Sequence, residues 1–394
     1  MQRALGYVAR TTRWCRLATF AAVSLTAVAC DSAEVGSPPT SLVEPSVGSA
    51  APGTESAAVG TTRAASSSAR SVLDDLLVDF ADDRDGGVAV LVAHDGIATT
   101  AATGVANDAG DEITPETPFR VGSISKPFVA TMVLQLVDEG RVALDEPLST
   151  YLPDTPIGAA VTIRALLSHR SGLPNYTDVG SALDDALANR SRTFSPDEIL
   201  ASVAAIPPDE PDQHFAYSNT NYILLGQLIE QLDATDLNTS LRQRITEPLK
   251  LDVTRFATGS DPTPAGVAAG WSPGVLDGDR DADYTSIASG AWAAGALVST
   301  VGELATFLHA LFAGELITAR SLTEMTATGA DGYGLGLFIA SFDHGRTGYG
   351  HNGGIFGYTA TMAIHPETGD TVVVATNNDR LVADQLAAQI ITSW

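Results

Sequence analysis

"VGSISKPFVATMVLQLVDEG", residues 121–140, is the stretch on which the rest of the reading turns. The chain has 394 residues and only two lysines, Lys126 and Lys250. Lys126 stands three residues after Ser123, where a glycine-containing turn opens a helix. Pro127 suits the first helical turn, where its missing N–H costs nothing, and Gly140 ends the apolar run. Positions i and i+3 share a helix face, so the Lys126 ammonium reaches the Ser123 hydroxyl. A serine is a poor nucleophile until a base takes its proton, and a lysine becomes such a base when its surroundings lower its pKa. Backbone N–H groups at the helix start, that of Ser123 included, can hold an oxyanion. Chance Ser-x-x-Lys pairs are frequent in a serine-rich chain, so this spacing alone is weak.

Composition narrows the function classes. With 44% hydrophobic residues the chain can bury a real core. Its net charge of −25 argues against nucleic acid as a partner, because binding it needs a positive face.

The N-terminus reads as an export signal over residues 1–29. Arg3, Arg10, Arg13 and Arg16 precede "LATFAAVSLTAVA" (17–29), an apolar run of 13 residues that is too short to span a bilayer comfortably. Removing these residues takes away four arginines and no acid, which leaves a charge of −29. "LTAVAC" is similar to a bacterial lipobox, with Ala27 where leucine is commonest, and implies lipidation of Cys30. Cys15 lies in the signal, so one cysteine remains and no intramolecular disulfide is available. Residues 30–70 are rich in Ser, Ala, Pro, Gly and Thr, a composition expected of a disordered tether. The expected folded domain is 71–394, and the only expected membrane contact is a lipid anchor at the cell envelope.

Helical spacing over 68–83 is followed by two strands in 86–104 that turn at His94, Asp95 and Gly96. Strands return at 332–340, 357–364 and 370–377, and a last helix runs from about Val382 to Ile391. Residues 141–310 read as mostly helical pieces between Pro- and Gly-rich loops. Strands at both ends with helices between predict an α/β fold. Its mixed or antiparallel sheet is built from both chain ends, flanked by helices, and interrupted by a helical insertion that walls a cleft.

Two further places carry chemistry. In "FAYSNTNYILLGQLIEQL" (215–232), Tyr217 can relay a proton and the Asn219 amide can hold a substrate. Asn219 capping a helix and Tyr217 packing in the core is the plainer reading of that segment alone. In "YGHNGGIFGYTATMAI" (349–364), His351 precedes or opens a strand, and Gly353 and Gly354 allow close backbone approach.

Together, Ser-x-x-Lys, Tyr-Ser-Asn and His-Asn-Gly resemble the motif set of serine β-lactamases and penicillin-binding proteins. The likeness is to the branch of class C β-lactamases, D-alanyl-D-alanine carboxypeptidases and related esterases. "VTIRALLSHRSGLPNY" (161–176), "AAGALVSTVGELATFLHAL" (293–311) and "YGLGLFI" (333–339) extend it over about 71–394. The resemblance implies a β-lactamase/transpeptidase-like fold and an acyl-enzyme on Ser123. Lys126 and Tyr217 would share the acid–base work, and His351 would tune them or hold substrate. Asn219 and Gly353 would bind substrate, and the N–H groups of Ser123 and Gly354 would form the oxyanion hole. No cofactor, no metal and no second subunit is expected.

The expected substrate is a small D-alanyl peptide or β-lactam, with a carboxylic ester on the same fold as the alternative. A surface module that binds penicillin or peptidoglycan without turnover is the non-enzyme rival. Asn352 departs from the hydroxyl residue frequent at its motif position. No cation follows the Tyr333–Leu337 segment before Arg346, although a carboxylate-terminated substrate needs one. A charged His351 would then favour an anionic leaving group at mildly acidic pH. His169 reads as a loop-ordering residue. His94, His214, His309, His344 and His365 have no metal-ligand spacing, and "DGDRDAD" (277–283) reads as a solvated loop rather than a calcium site.

Overall fold

Residues 87–90 and 371–376, from the two ends of the chain, are buried on both faces of one sheet. The computed structural model describes residues 63–393 except 65–66, 82–84, 213, 259–263 and 274–282. The signal segment, Cys30, most of the 30–70 tether and nearly all of the acidic segment 277–283 lie outside the described residues.

The first elements are β1 (Arg63–Ala64), α1 (Ser67–Ala81), β2 (Gly87–His94), β3 (Ile97–Gly104) and β4 (Phe119–Gly122). The helices α2 (Ser125–Asp138) and α3 (Asn219–Asp233) follow, with β5 (Arg255–Phe256), α4 (Thr285–Gly295), β6 (Leu297–Ser299) and α5 (Val301–Phe312). The chain closes with β7 (Phe338–Ser341), β8 (Thr347–Ile355), β9 (Tyr358–Ile364), β10 (Thr371–Thr376) and α6 (Ala383–Thr392). Seven strands form one sheet in the order β1-β3-β2-β10-β9-β8-β7. All its pairs are antiparallel except β1 with β3. Its centre joins the two chain ends, with Val90 opposite Val374 and Leu91 opposite Val373.

Strand alternation sorts these residues into two cores. Val88, Val90, Val372 and Val374 pack with Leu73 and Leu77 of α1 and Leu386 and Ile390 of α6. Ala89, Val373 and Ala375 face the other way, toward α2, α5 and the helical body. Helix α2 runs through that second core with Phe128, Val129, Met132, Val133 and Leu136 all buried. A helix apolar on nearly every side can only be a core helix.

The structure departs from the sequence reading in three places. The segment 141–310 is mostly helical, yet it contributes β5 and β6, which join β4 in a separate sheet of order β4-β6-β5. Strands this short leave no usable period. The expected strand over 332–340 is a strand only from Phe338, because Gly336 takes a positive φ. The third departure is β8, with sequence TGYGHNGGI: His351 and Gly353 lie inside a strand of nine residues. Glycine is a poor strand former, so propensity hides this strand. Close packing explains its glycines. A Cβ on Gly353 would lie 2.0 Å from the Val121 carbonyl oxygen and 2.9 Å from the Ser123 nitrogen.

The turn carrying Ser123 is tied down by its neighbour. The fully buried Ser125 hydroxyl donates to the Gly122 carbonyl at 2.8 Å and accepts from the Leu297 N–H at 3.0 Å. It thus links the end of β4, the start of α2 and β6. Ser125→Ala withdraws the hydroxyl from both backbone groups, and a buried polar group left unmatched costs about 1–3 kcal/mol. Urea denaturation is expected to show a loss of about 2 kcal/mol, with the slope unchanged. An unshifted midpoint would show that the link contributes nothing.

Candidate active site

Ser123 sits in the turn between β4 and α2, half-exposed among buried neighbours. The first turn of α2 carries Lys126 inward, where its side chain is fully buried. Its Nζ has three oxygen partners: Ser123 Oγ at 3.0 Å, Asn219 Oδ1 at 2.8 Å and the Ala294 carbonyl at 2.7 Å. No carboxylate is among them. Burial therefore pushes the Lys126 pKa well below the usual lysine range.

Three oxygens could also serve the three N–H groups of an ammonium, but burial without a carboxylate favours the neutral amine. The Ala294 carbonyl and the Asn219 amide oxygen can only accept, so they take the two N–H bonds of an uncharged –NH2 group. The lone pair is left for the one partner that can also donate, the Ser123 hydroxyl.

The Tyr217 phenol, in the segment leading into α3, faces the Ser123 hydroxyl, which moderates its pKa. Desolvation pushes its phenol above the ordinary tyrosine range, so it keeps its proton. The Lys126 Nζ also lies 4.9 Å from the centre of the Tyr217 ring. Amine and phenol thus meet at one serine oxygen in opposite proton states, one ready to accept and one ready to donate.

Asn219 does not cap its helix with its side chain. Ser218 is the N-cap, and the Asn219 side chain turns to Lys126 while its backbone N–H donates to Asn175 Oδ1 at 3.0 Å. His169 takes a positive φ of 56° and is fully buried. Its Nδ1 accepts from the Ser218 N–H at 3.1 Å, its carbonyl accepts from the Ala216 N–H at 2.9 Å, and its ring packs 4.1 Å from that of Tyr217. It holds the backbone on both sides of Tyr217.

His351 is buried with its Nδ1 2.5 Å from the Asn352 carbonyl and its Nε2 3.3 Å from the Tyr333 hydroxyl. A carbonyl only accepts, so Nδ1 carries the proton and Nε2 of the neutral ring accepts from Tyr333. Burial pushes the His351 pKa down to about 3. The charged histidine of the sequence reading, and the mildly acidic optimum attached to it, do not follow. Arg346 supplies no replacement. It pairs with Asp370 at 2.8 Å and with Asp343, and does not line the cavity beside Ser123.

That cavity has a volume of about 320 Å³. Ser123, Tyr217, Asn219, Asn352, Gly353 and Gly354 line it, while Lys126 and His351 are buried behind its wall. β7 pairs with β8 only as far as Gly350, so the edge of residues 351–355 borders the cavity. Gly122 has a positive φ of 53°, and a Cβ there would come within 2.8 Å of the Gly354 nitrogen. The two glycines bring the Gly354 N–H close to the Ser123 turn. Among the described residues no group of His, Cys, Asp and Glu is arranged to hold a metal ion.

Sequence reasoning missed Ala294, whose carbonyl carries no side-chain signal, and Tyr333, which lay within a quoted segment without a role. It also missed Asp384, whose partners Asn352 and Thr361 are distant in the chain.

The sequence profile described as Beta-lactamase matches residues 73–392, which hold every motif residue named above. The chain belongs to the beta-lactamase family. As a beta-lactamase-family protein it is 30% identical over 322 residues to penicillin-binding protein 4 of Amycolatopsis lactamdurans, covering 74% of this chain and 80% of that one. It is 33% identical over 177 residues to the esterase EstB of Burkholderia gladioli, covering 42% and 45% of the two chains. Among solved structures, a D-stereospecific amidohydrolase from Streptomyces sp. superposes with a TM-score of 0.72 at 29% identity, covering 82% of this chain and 98% of that one. The fold of this beta-lactamase-family chain is that of its solved relatives, and such relatives are serine hydrolases.

A histidine that titrates near pH 3 cannot shape a profile measured between pH 5 and 8. His351→Gln is therefore expected to leave the form of log kcat/KM against pH unchanged for a neutral ester, even if its height falls. An acid limb in that range that disappears with His351 would show that the ring is charged there.

Proposed function

We propose that this is an exported, lipid-anchored serine hydrolase that forms an acyl-enzyme on Ser123 and favours esters and amides over carboxylate-terminated peptides. The observation that carries the chemistry is the pairing at Lys126 Nζ, where two acceptor-only oxygens leave the amine lone pair to the Ser123 hydroxyl.

In acylation the Ser123 Oγ bonds to the substrate carbonyl carbon while its proton passes to the neutral Lys126 amine. The N–H groups of Ser123 and Gly354 hold the oxyanion. As the intermediate collapses, the bond to the leaving group breaks. The departing oxygen or nitrogen takes a proton from Tyr217, and the Lys126 ammonium replaces it. Deacylation runs the same relay with water, which gives a proton to the base, attacks the acyl carbon and releases Ser123 with its proton restored. Asn219 and the edge of β8 at Gly353 position the acyl group, and His351 fixes the Asn352 backbone beside it.

The substrate preference rests on charge. Arg192 is the one basic residue among the described cavity-lining residues, and it is paired with Asp185 and Glu198 at 3.1 Å each. A terminal carboxylate, whether of a D-alanyl-D-alanine peptide or a β-lactam, finds no free cation there. The esterase and the D-stereospecific amidohydrolase among the relatives support cleavage of esters and amides by this arrangement.

Intact-mass analysis after fluorophosphonate treatment tests the nucleophile: one adduct is expected on the protein and none on Ser123→Ala. Lys126→Arg, whose guanidinium cannot accept a proton near neutral pH, is expected to slow ester turnover by about 10²–10⁴-fold. Labelling of Ser123→Ala, or an active Lys126→Arg, overturns the assignment. Side-by-side kcat/KM values should rank a p-nitrophenyl acyl ester above a β-lactam and a D-alanyl-D-alanine peptide. A fast carboxypeptidase without esterase activity would refute the charge argument.

The anchor rests on the sequence around Cys30. Cys30→Ser is expected to shift the protein from the detergent phase to the aqueous phase, or to leave it unprocessed. Partitioning unchanged by the substitution would remove the anchor.

A further inference from the structure

The cavity has acidic lining residues that the proposed hydrolytic chemistry does not use. Asp185, Glu198, Asp379 and Asp384 all line the cavity. The first two are occupied by Arg192, and the Asp379 carboxylate accepts from the Ser272 hydroxyl. Asp384 differs from these in its place and in its partners. It stands in the first turn of α6, and its two oxygens accept from Asn352 Nδ2 at 2.7 Å and from the Thr361 hydroxyl. Asn352 immediately precedes Gly353, whose backbone lies against the Ser123 turn. The carboxylate is therefore fixed in direction by neutral donors, one of them on the strand that borders the nucleophile.

A carboxylate offers about four lone-pair sites, and these two hydrogen bonds use two of them. No described cation pairs with it, and burial pushes its pKa up against the two hydrogen bonds, so an incoming ammonium group would supply the counter-charge that favours the carboxylate. The wall beside it is apolar, with Ile355, Phe356 and Val382, and an apolar wall strengthens whatever charge interaction a ligand makes.

We propose that Asp384, oriented by Asn352 and Thr361, forms a subsite for a primary ammonium group on the substrate. The proposal rests on the reading of this cavity as the hydrolytic site and narrows its substrate class to amine-bearing esters and amides. Asn352 then has a role suited to it: its amide donates to Asp384, which a cation-binding site needs and a carboxylate-binding site does not.

The test needs no turnover, so it is separate from the test of hydrolysis. Binding of benzylammonium, benzyl alcohol and benzoate to the full-length protein at pH 7.5 is measured by NMR titration. These probes share one ring and differ in charge. Benzylammonium is expected to bind about tenfold more tightly than benzyl alcohol, as one charge-assisted hydrogen bond in a partly desolvated site allows, with benzoate weakest. Asp384→Asn should reduce the benzylammonium advantage to less than about twofold and leave benzyl alcohol unchanged, as loss of a single charged acceptor requires. Thermal melting and the benzyl alcohol affinity report whether that variant is folded. Equal affinities for the three probes in the unsubstituted protein, or no measurable binding of benzylammonium, overturn the subsite whatever the variant does. An undiminished preference in folded Asp384→Asn overturns it too. A cation preference in a protein inert to fluorophosphonate would sink the hydrolase reading and leave the subsite standing.

Discussion

A lysine amine enclosed without a carboxylate is the constraint on which the site depends. The chain's two lysines meet opposite fates. Lys250 is exposed at a helix end, and Lys126 is sealed between α2, α3 and α4. A charge cannot be kept there cheaply, so the surroundings select the neutral form, and only the neutral form has a lone pair to offer. The rest of the site follows from satisfying that one nitrogen. Asn219 must turn away from capping α3, the Ala294 carbonyl must point inward at the end of α4, and Ser123 must stand at the remaining position.

Backbone proximity is the second requirement, and it is met by absent side chains. Gly122 and Gly353 let β4 and β8 approach until the Ser123 turn and the Gly354 amide share one small volume. Polar contacts then stiffen the arrangement from behind, with His169 on the Tyr217 segment and Tyr333 on His351. The Ser125 hydroxyl holds the nucleophile's turn to the neighbouring strand β6.

Much of this was legible in the residues. Strands read at both ends of the chain with helices between announced one sheet built from distant segments, and the Ser-x-x-Lys spacing, once joined to the other two motifs, announced the nucleophile and its partner. Two features were hidden for physical reasons. Strand β8 is made by glycines whose propensity says loop and whose role is close packing, so pattern reading placed its motif before a strand or at the start of one rather than well inside it. The charge state of His351 depends above all on its depth, which is not encoded next to it. Asp384 was equally silent, because a lone acid at a helix start reads as ordinary N-terminal charge until the strand it meets is known.

The joining of β2 to β10 has a bearing on when the serine becomes reactive. The Asn377 side chain, just past β10, accepts at 2.7 Å from the N–H of Gly87, a residue 290 positions away in the chain, and β10 braces β9, which in turn carries β8. Such non-local pairing is slow to form and cannot begin until the C-terminal strands exist. A nascent chain holding Ser123 and Lys126 lacks the wall that dries the amine and the strand that presents Gly354. The catalytic arrangement is therefore withheld by topology until the last strands dock.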